Sequence, residues 1–439
     1  MRFLGIGDCN DLASMYGGLA SQGHEVKVFI GEPDYQNVYR GILEMTANWR
    51  QELAWLAAAK EEGVVIFETA DSGAQQDELR RAGFQVIGGS ALGDRLEADR
   101  EFGQQALRSI GMRTAKSQSF RSYEDATAFL KCQPGRYVLK FNGANMPRTR
   151  NYIGQLEDGS DVLALMAMYL HQAPTTDPPD FLLMQYMPGI EVGIGAYFNG
   201  TQFLEGVCVD FEHKRFFQGD LGELTGEMGT VVSYRGAEKL FQATLAPMRD
   251  VLAQSGYCGY VNVNLIVNEQ GIWPLEFTSR FGYPGFAICQ TLHTEPWDVL
   301  LRRMVKKDSL ALPTKDGFAV GVVLTVPPFP YSLGYDDLSK GLPICFRPGM
   351  TQADRAALHF SEVEQMGQQL VTSGATGYVG VATGWGHSIH EAVVDAYRIA
   401  SFVVVPNLRY RLDIGHRVAA HDWQALRALG WLGDDAPVI

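Results

Sequence analysis

The hydrophobic pattern opens with a short apolar run in residues 1–10 that ends in Gly5 and Gly7. Leu12 to Leu19 then follows helical spacing, and Glu25 to Phe29 follows strand spacing. Strand spacing returns at Val64–Phe67 and Phe84–Ile87, which predicts a small parallel α/β unit at the start of the chain. Ser90 to Ile110 has a helix pattern that links this unit to the next, and Arg136–Phe141 and Phe181–Tyr186 read as strands. Gly, Asn and Pro crowd Asn142–Pro147, which reads as a loop, and so does Thr175-Thr-Asp-Pro-Pro-Asp180. Glu191 to Val209 predicts two strands around the Asn199-Gly200 turn, and Tyr260–Val267 with Ile272–Phe277 predicts a second hairpin around residues 268–271. Between them, the glycine-rich Phe217–Thr230 fits neither a regular helix nor a central strand, whereas Ala237 to Ser255 is helical. A β-rich portion begins near residue 318, and a helix is expected near Ile389–Ala400.

Composition narrows the class of protein. With 439 residues the chain exceeds one ordinary core, and the 46% apolar fraction is globular. No apolar stretch reaches the roughly 18 residues that a membrane helix requires. The first residues lack a signal-peptide pattern. The six cysteines have no paired spacing, which suits single thiols in a reducing, cytoplasmic setting better than disulfides or a zinc site. A formal charge of -13 argues against a nucleic-acid partner.

Several residues can carry chemistry. Glu276 and Thr278 stand two apart at a strand end and leave the same face. A carboxylate there suits Mg²⁺, a hard cation that prefers oxygen ligands, and Thr278 is a weaker donor. Arg280 follows, placed to meet an anion; the plainer alternative is a Glu276–Arg280 pair on a surface loop. Asn262 and Asn264 share a face of the preceding strand, where Asn264 offers an amide oxygen to the metal or a cross-strand hydrogen bond. Lys140, between Leu139 and Phe141, must snorkel, pair or enter a cleft. Glu191 suits sugar hydroxyls or a plain exposed turn. Glu212-His213-Lys214-Arg215 runs into the glycine-rich loop, so its cations either hold an anion or face solvent. Arg409 to Arg417 is either an anion site or a salt-bridged seam. Gly5-Ile-Gly7 is a weak anion-binding signal, opposed by Asp8 and Asp11. His387 and His390 lack a third metal ligand.

Together these segments resemble phosphoribosylamine–glycine ligase, the glycinamide-ribonucleotide synthetase of the ATP-grasp superfamily. The resemblance rests on Leu139-Lys140, Gly189-Ile-Glu191, Glu212 to Arg215, Thr225 to Gly229, Leu275 to Gly282 and Asp413 to Arg417, in the family's order. It implies an α/β and α+β multidomain protein with an ATP-grasp fold. The expected division is a substrate-side α/β domain over 1–105, an ATP-grasp region over 106–318 with a lobe at about 116–188, and a β-rich domain over 319–439. The implied reaction phosphorylates a carboxylate with ATP, and an amine then attacks the acyl phosphate. Lys140, Gln185, Tyr186, Glu191 and Arg100 are the implied nucleotide contacts; Glu276, Asn264 and Thr278 would hold Mg²⁺ or Mn²⁺. Arg280, Lys214, Arg215 and His213 are the implied catalytic groups, with Phe141–Thr149 and Phe217–Thr230 as mobile loops. The partners expected are small carboxylate and amine substrates, with no nucleic acid or membrane, and the assembly a monomer or homodimer.

The sequence departs from the family on the substrate side. Gly7-Asp-Cys-Asn-Asp-Leu-Ala13 replaces an arginine- and histidine-bearing element near the ribose phosphate, and Thr278 replaces an asparagine. Tyr283-Pro-Gly285 replaces an acidic segment, Gly222-Glu-Leu-Thr-Gly-Glu227 replaces a Pro-Asn-Thr-Gly-Gly loop, and Leu358 to Ser361 lacks the usual His-Ala-Gly-Thr. The expectation drawn is a ligase with an altered substrate pair; the alternatives are authentic phosphoribosylamine–glycine ligation and a nucleotide-binding protein without turnover.

Overall fold

The structure, a computed structural model, describes residues 1–141, 150–172 and 180–437. The expected loops at Asn142–Pro147 and Thr175–Asp180, and most of the expected mobile loop Phe141–Thr149, therefore lie wholly or largely outside the described residues.

Five parallel strands form the first sheet: β1 (Arg2–Gly7), β2 (Glu25–Ile30), β3 (Glu44–Met45), β4 (Gly63–Phe67) and β5 (Gln85–Ile87), ordered β3-β2-β1-β4-β5. Burial on both faces explains the unbroken apolar runs of β1 and β4, which a one-sided sheet would interrupt with polar residues. The expected linking helix Ser90–Ile110 is two helices, Ala91–Ala98 and Arg100–Ser109. Asp99 is extended between them, and its side chain caps the second by accepting from the Phe102 amide.

A second sheet is antiparallel: β6 (Ser117–Phe120), β7 (Tyr137–Phe141), β8 (Tyr152–Ile153) and β9 (Phe181–Gln185), ordered β6-β9-β7-β8. Phe120, Tyr123, Phe141 and Phe181 form its aromatic core against two helices. This core is a separate cluster from the main one, so the sheet is a lobe with its own packing.

The third sheet carries most of the site. It contains β10 (Ile190–Asn199), β11 (Phe203–Glu212), β14 (Gly229–Ser233), β15 (Cys258–Asn268), β16 (Gly271–Thr278), β17 (Phe318–Thr325), β19 (Leu358–Phe360) and β22 (Tyr378–Gly386). Their order is β16-β15-β10-β11-β14-β17-β22-β19, so strands after residue 318 extend the sheet begun by the two predicted hairpins. Of the intervening strands, β12 (Arg215–Phe217) pairs with β13 (Leu221–Leu224), and β20 (Val363–Met366) with β21 (Gln369–Thr372); β18 is Cys345–Phe346.

Two further expectations change. Residues 229 and 230, placed in an irregular loop, begin β14, a central strand between β11 and β17. Gly229 is there because a side chain would run into the Gly321 carbonyl of β17. The helix expected over Ala237–Ser255 breaks into Glu238–Ala243 and Arg249–Gln254, with a tight turn at Ala246–Met248, because Pro247 cannot continue the first helix. The helix near 389–400 is present as Ile389–Phe402, closed at its start by a Ser388–Glu391 capping box.

Candidate active site

Sheet register sets out the floor of the site. Asn264 of β15 lies opposite Glu276 of β16 and Gly193 of β10, and Gly193 in turn lies opposite Asp210 of β11. A parallel row runs Thr278, Asn262, Gly195 and Cys208. Period-two alternation sends these side chains to one face, as the spacing predicted for Glu276 with Thr278 and for Asn262 with Asn264. The ladder shifts register beside Asn264, where Pro274 enters the strand; a bulge accommodates a residue without an amide hydrogen.

The β7 lobe faces this floor across a cavity of about 280 Å³. From the lobe comes Lys140, whose Nζ is 3.5 Å from Glu276 Oε2. From the start of the helix Arg100–Ser109 comes Arg100, with Nη1 2.9 Å from the same oxygen. Lys214 Nζ lies 2.6 Å from Glu191 Oε1, 3.1 Å from Glu212 Oε2 and 3.9 Å from Glu276 Oε1. Asn264 Nδ2 donates to Glu212 Oε2 at 3.2 Å. Four carboxylates and amides from four strands thus surround cations from three other elements.

Burial lowers the Lys140 pKa, and the neighbouring Glu276 only partly compensates. Burial also opposes the charge on Lys214, but Glu191, Glu212 and Glu276 together outweigh it and hold the amine well above its ordinary range. Lys214 is therefore a fixed positive charge. Arg280 Nε donates to Glu97 Oε1 at 3.2 Å, and Glu97 raises its pKa against the cost of burial. Glu97 also accepts from the Ser279 amide at 2.8 Å, which fixes the turn after β16. The surface-loop pairing of Glu276 with Arg280 does not occur: each has its own partner and both line the cavity.

Lys140, Tyr186, Glu191, Arg100, Lys214, Arg280, Glu276, Asn264 and Thr278 all line this one cavity. Gln185, Arg215 and His213 do not. Gln185 borders a different concavity, beside Arg136 and Tyr137. Arg215 donates to the Gly222 carbonyl at 2.6 Å. His213 is buried, its Nε2 3.2 Å from the Gly415 amide, and burial followed by Arg411 and Arg417 pushes its pKa down to about 4. It is a neutral packing residue at neutral pH.

The stretch around Asp413 resolves as a salt-bridged seam. Arg411 pairs with Asp413 and Asp220, and Arg417 with Asp220 and Asp422. At the end of β1, Asp8 and Asp11 lie near Glu68, with Asp71 adding to the negative field on Asp8. Burial first, and Asp71 next, push Asp8 up to about 6; burial and Asp11 push Glu68 up to about 8.

Sequence reading missed three acids of the site: Glu97, Asp210 and Glu227. Asp210 carried a usable signal, since it alternates with Glu212 through Phe211 on a strand facing the two asparagines. Glu97 had none, being brought in by tertiary packing alone. The donor set fits nucleotide and metal: Glu276 and Asn264 offer carboxylate and amide oxygens side by side, and Lys140, Arg100 and Lys214 supply positive charge for phosphates. Among the described residues, no group of three or more His, Cys, Asp or Glu could hold a metal by itself. Hence an ion here must draw on amide oxygen and phosphate.

Residues 98–286 match the phosphoribosylglycinamide synthetase, ATP-grasp (A) domain family. Phosphoribosylamine–glycine ligase of Streptococcus suis is 25% identical over 354 residues, covering 78% of this chain and 80% of its own. That of Chlorobaculum tepidum is 26% identical over 353 residues, covering 77% and 80%. Among solved structures, phosphoribosylamine–glycine ligase of Thermotoga maritima superposes with a TM-score of 0.69 at 21% identity, covering 94% of this chain and 100% of that one. A Hydrogenobacter thermophilus biotin carboxylase domain in complex with MgADP and bicarbonate follows the same fold with a TM-score of 0.63 at 10% identity, covering 93% and 91%. Residues 98–286 therefore carry an ATP-grasp domain of the phosphoribosylglycinamide synthetase type, and the chain as a whole is similar to phosphoribosylamine–glycine ligases in sequence and shares their fold.

Proposed function

We propose that the chain activates a carboxylate as its acyl phosphate and joins it to an amine, and that phosphoribosylamine with glycine is the first pair to test. The relatives that match over three quarters of the chain carry that name, and they support this pair better than the altered pair expected from the sequence. The observation that carries the chemistry is the approach of Arg100, Lys140 and Lys214 to Glu276, beside Asn264.

In this reading Lys140 and Arg100 hold the phosphate chain, Glu191 meets the ribose, and Tyr186 flanks the nucleotide. Mg²⁺ held by Glu276 and Asn264, with Thr278 nearby, would offset negative charge on the transferring phosphoryl group. Lys214 and Arg280, both fixed as cations, stabilise charge at the reacting centre. The amine has only to arrive unprotonated and aligned with the acyl carbon. Residues 106–318 supply the nucleotide grip, and 1–105 and 319–439 complete the substrate side. In this reading the protein is a cytoplasmic enzyme acting on small molecules as a monomer or homodimer; among the described residues no helix is long and apolar enough to cross a membrane.

One observation favours a different pair. Asp8 and Asp11 stand where the family's arginine-bearing element would meet a ribose phosphate, with no cation from that element to offset them, and a dianion is repelled there. Purified protein with MgATP, phosphoribosylamine and glycine decides between the two. Stoichiometric ADP and glycinamide ribonucleotide support the relatives' pair. ADP release that requires other acids or amines selects the altered pair, and no release with any pair sinks the ligase reading.

A further inference from the structure

Four side-chain oxygens collect on the β11–β14 side of the cavity. Asp210, Glu227 and Asn262 are only 5%, 6% and 7% exposed, and Thr230 only 2%. All four residues border the cavity, and Asp210 Oδ1, Glu227 Oε1, Asn262 Oδ1 and Thr230 Oγ1 have no hydrogen-bond partner among the described residues. Asn262 Nδ2 donates to Asp210 Oδ2 at 2.7 Å, which ties the two side chains together and leaves the amide oxygen as the unmatched atom. Glu227 lies close enough to Glu212 and Asp210 to feel the charge of both. Buried oxygens are ordinarily paired, so this set calls for one partner that serves several of them at once.

No neighbouring cation fills that role. Lys214 already has Glu191, Glu212 and Glu276 at 2.6, 3.1 and 3.9 Å, and an ammonium has only three hydrogens. Arg100 and Lys140 are engaged with Glu276, and Arg280 with Glu97. Backbone choice keeps the space open: a Cβ at Gly193 would overlap the Asp210 carboxylate, and one at Gly195 would overlap the Tyr260 hydroxyl. Glu227 ends the segment that replaces the resembled family's Pro-Asn-Thr-Gly-Gly loop, so the second acid is a feature of this sequence.

We propose that Asp210, Glu227, Asn262 and Thr230 form a site for a hard divalent cation, Mg²⁺ or Mn²⁺, separate from the ion that Glu276 and Asn264 would hold with nucleotide. Two carboxylates, an amide oxygen and a hydroxyl are the ligands such ions prefer, and water completes the shell. Only two of the four are acids, so the site draws on neutral oxygens as well. The sulfur bordering the same cavity, Cys289 Sγ, lies 3.8 Å from Cys208 Sγ, and a hard ion takes oxygen in preference to it. Position keeps the two ions apart, since Asp210 is two strands from Asn264, about 10 Å across the sheet. The ion also changes what the cavity admits. Two bare carboxylates repel an anionic substrate on this side, and a divalent charge between them reverses the sign.

The test is Mn²⁺ binding to the full chain without nucleotide, followed by electron paramagnetic resonance, with Mg²⁺ as competitor. We expect one Mn²⁺ per chain, displaced by excess Mg²⁺. Asp210→Asn and Glu227→Gln should each weaken its binding tenfold or more, whereas Glu276→Gln should change it less than twofold. Thermal unfolding establishes that each variant is folded. Thr230→Val keeps the side-chain shape and removes one neutral ligand; it should weaken binding at least twofold, and it decides the matter if the acid variants do not fold. No Mn²⁺ bound without nucleotide, or Mn²⁺ that Mg²⁺ cannot displace, overturns the site. So does binding left unweakened by a folded Asp210→Asn or Glu227→Gln, which is an adventitious ion only, and binding that Glu276→Gln weakens as strongly, which is the nucleotide's ion. Neither substrate nor turnover enters the measurement, so the cation site stands or falls apart from the ligase reading.

Discussion

Arg100 and Lys140 reach the same oxygen of Glu276, Nη1 at 2.9 Å and Nζ at 3.5 Å, from two elements that lie on different sides of the cavity. A single carboxylate thus joins the phosphate-side cations to the strand end where metal oxygens are offered. Glu276→Gln keeps the shape and removes the charge. We expect kcat for ADP release to fall by about 10²–10³-fold, the range for losing a preorganised charge at a reacting centre. Thermal midpoint should move by only a few degrees, because Glu276 is one-third exposed. A variant with wild-type turnover would refute the role given to Glu276.

Lys214 makes a different prediction because it serves three acids at once. Lys214→Met leaves Glu191, Glu212 and Glu276 close together without their shared cation. Breaking a fully buried pair costs about 3–5 kcal/mol, and the 24% exposure of Lys214 reduces that to roughly 1–3 kcal/mol. Activity and stability should therefore fall together, and lowering the pH should recover part of the stability by protonating the acids. Urea denaturation at pH 5 and pH 8 would measure it. An equal loss at both pH values would reject the electrostatic account.

The run Glu212-His-Lys-Arg215 marks how far the sequence alone could be read. Three adjacent cations looked equivalent, yet the chain here is extended and alternates its faces. Glu212 and Lys214 therefore enter the cavity, while His213 packs against Gly415 and Arg215 bonds back to Gly222. Lys140, Glu276 and Asn264 were legible because polar residues among apolar ones in a strand have few places to go. Glu227 was not, since a glycine-rich segment gives no periodicity from which to place a side chain. The large sheet shows the same limit. Each hairpin followed from its own turn, but the pairing of β14 with β17 across about 90 residues of sequence has no local signal.

Gly193 sits between Asn264 and Asp210 in the sheet, and its missing Cβ leaves room for the Asp210 carboxylate. Gly193→Ala should push that carboxylate from its contact with Asn262. Overpacking of this kind costs about 1–3 kcal/mol. The loss of activity should exceed what the stability change explains, because the displaced group borders the site. Ligase activity measured well below the unfolding transition would separate the two effects. Wild-type activity in Gly193→Ala would show that the cavity floor does not require the glycine.

Glu68 gives a pH dependence that is independent of catalysis. It is fully buried, its Oε2 accepts from the Asp11 amide at 2.7 Å, and burial with the nearby Asp11 raises its pKa from 4.5 to about 8. The folded protein thus binds this proton more tightly than the unfolded chain does. Its contribution to stability is complete below pH 4.5 and is lost as pH rises through about 8. A shift of this size corresponds to several kcal/mol, on the order of 3–5. Asp8, raised to about 6, acts in the same direction over a narrower window. Glu68→Gln stays neutral and retains an acceptor for the Asp11 amide. It should match the wild type near pH 5, unfold at higher denaturant than the wild type at pH 9, and show a shallower slope between. Parallel stability curves for the two proteins across that window would mean that Glu68 keeps an ordinary carboxylate pKa in the fold.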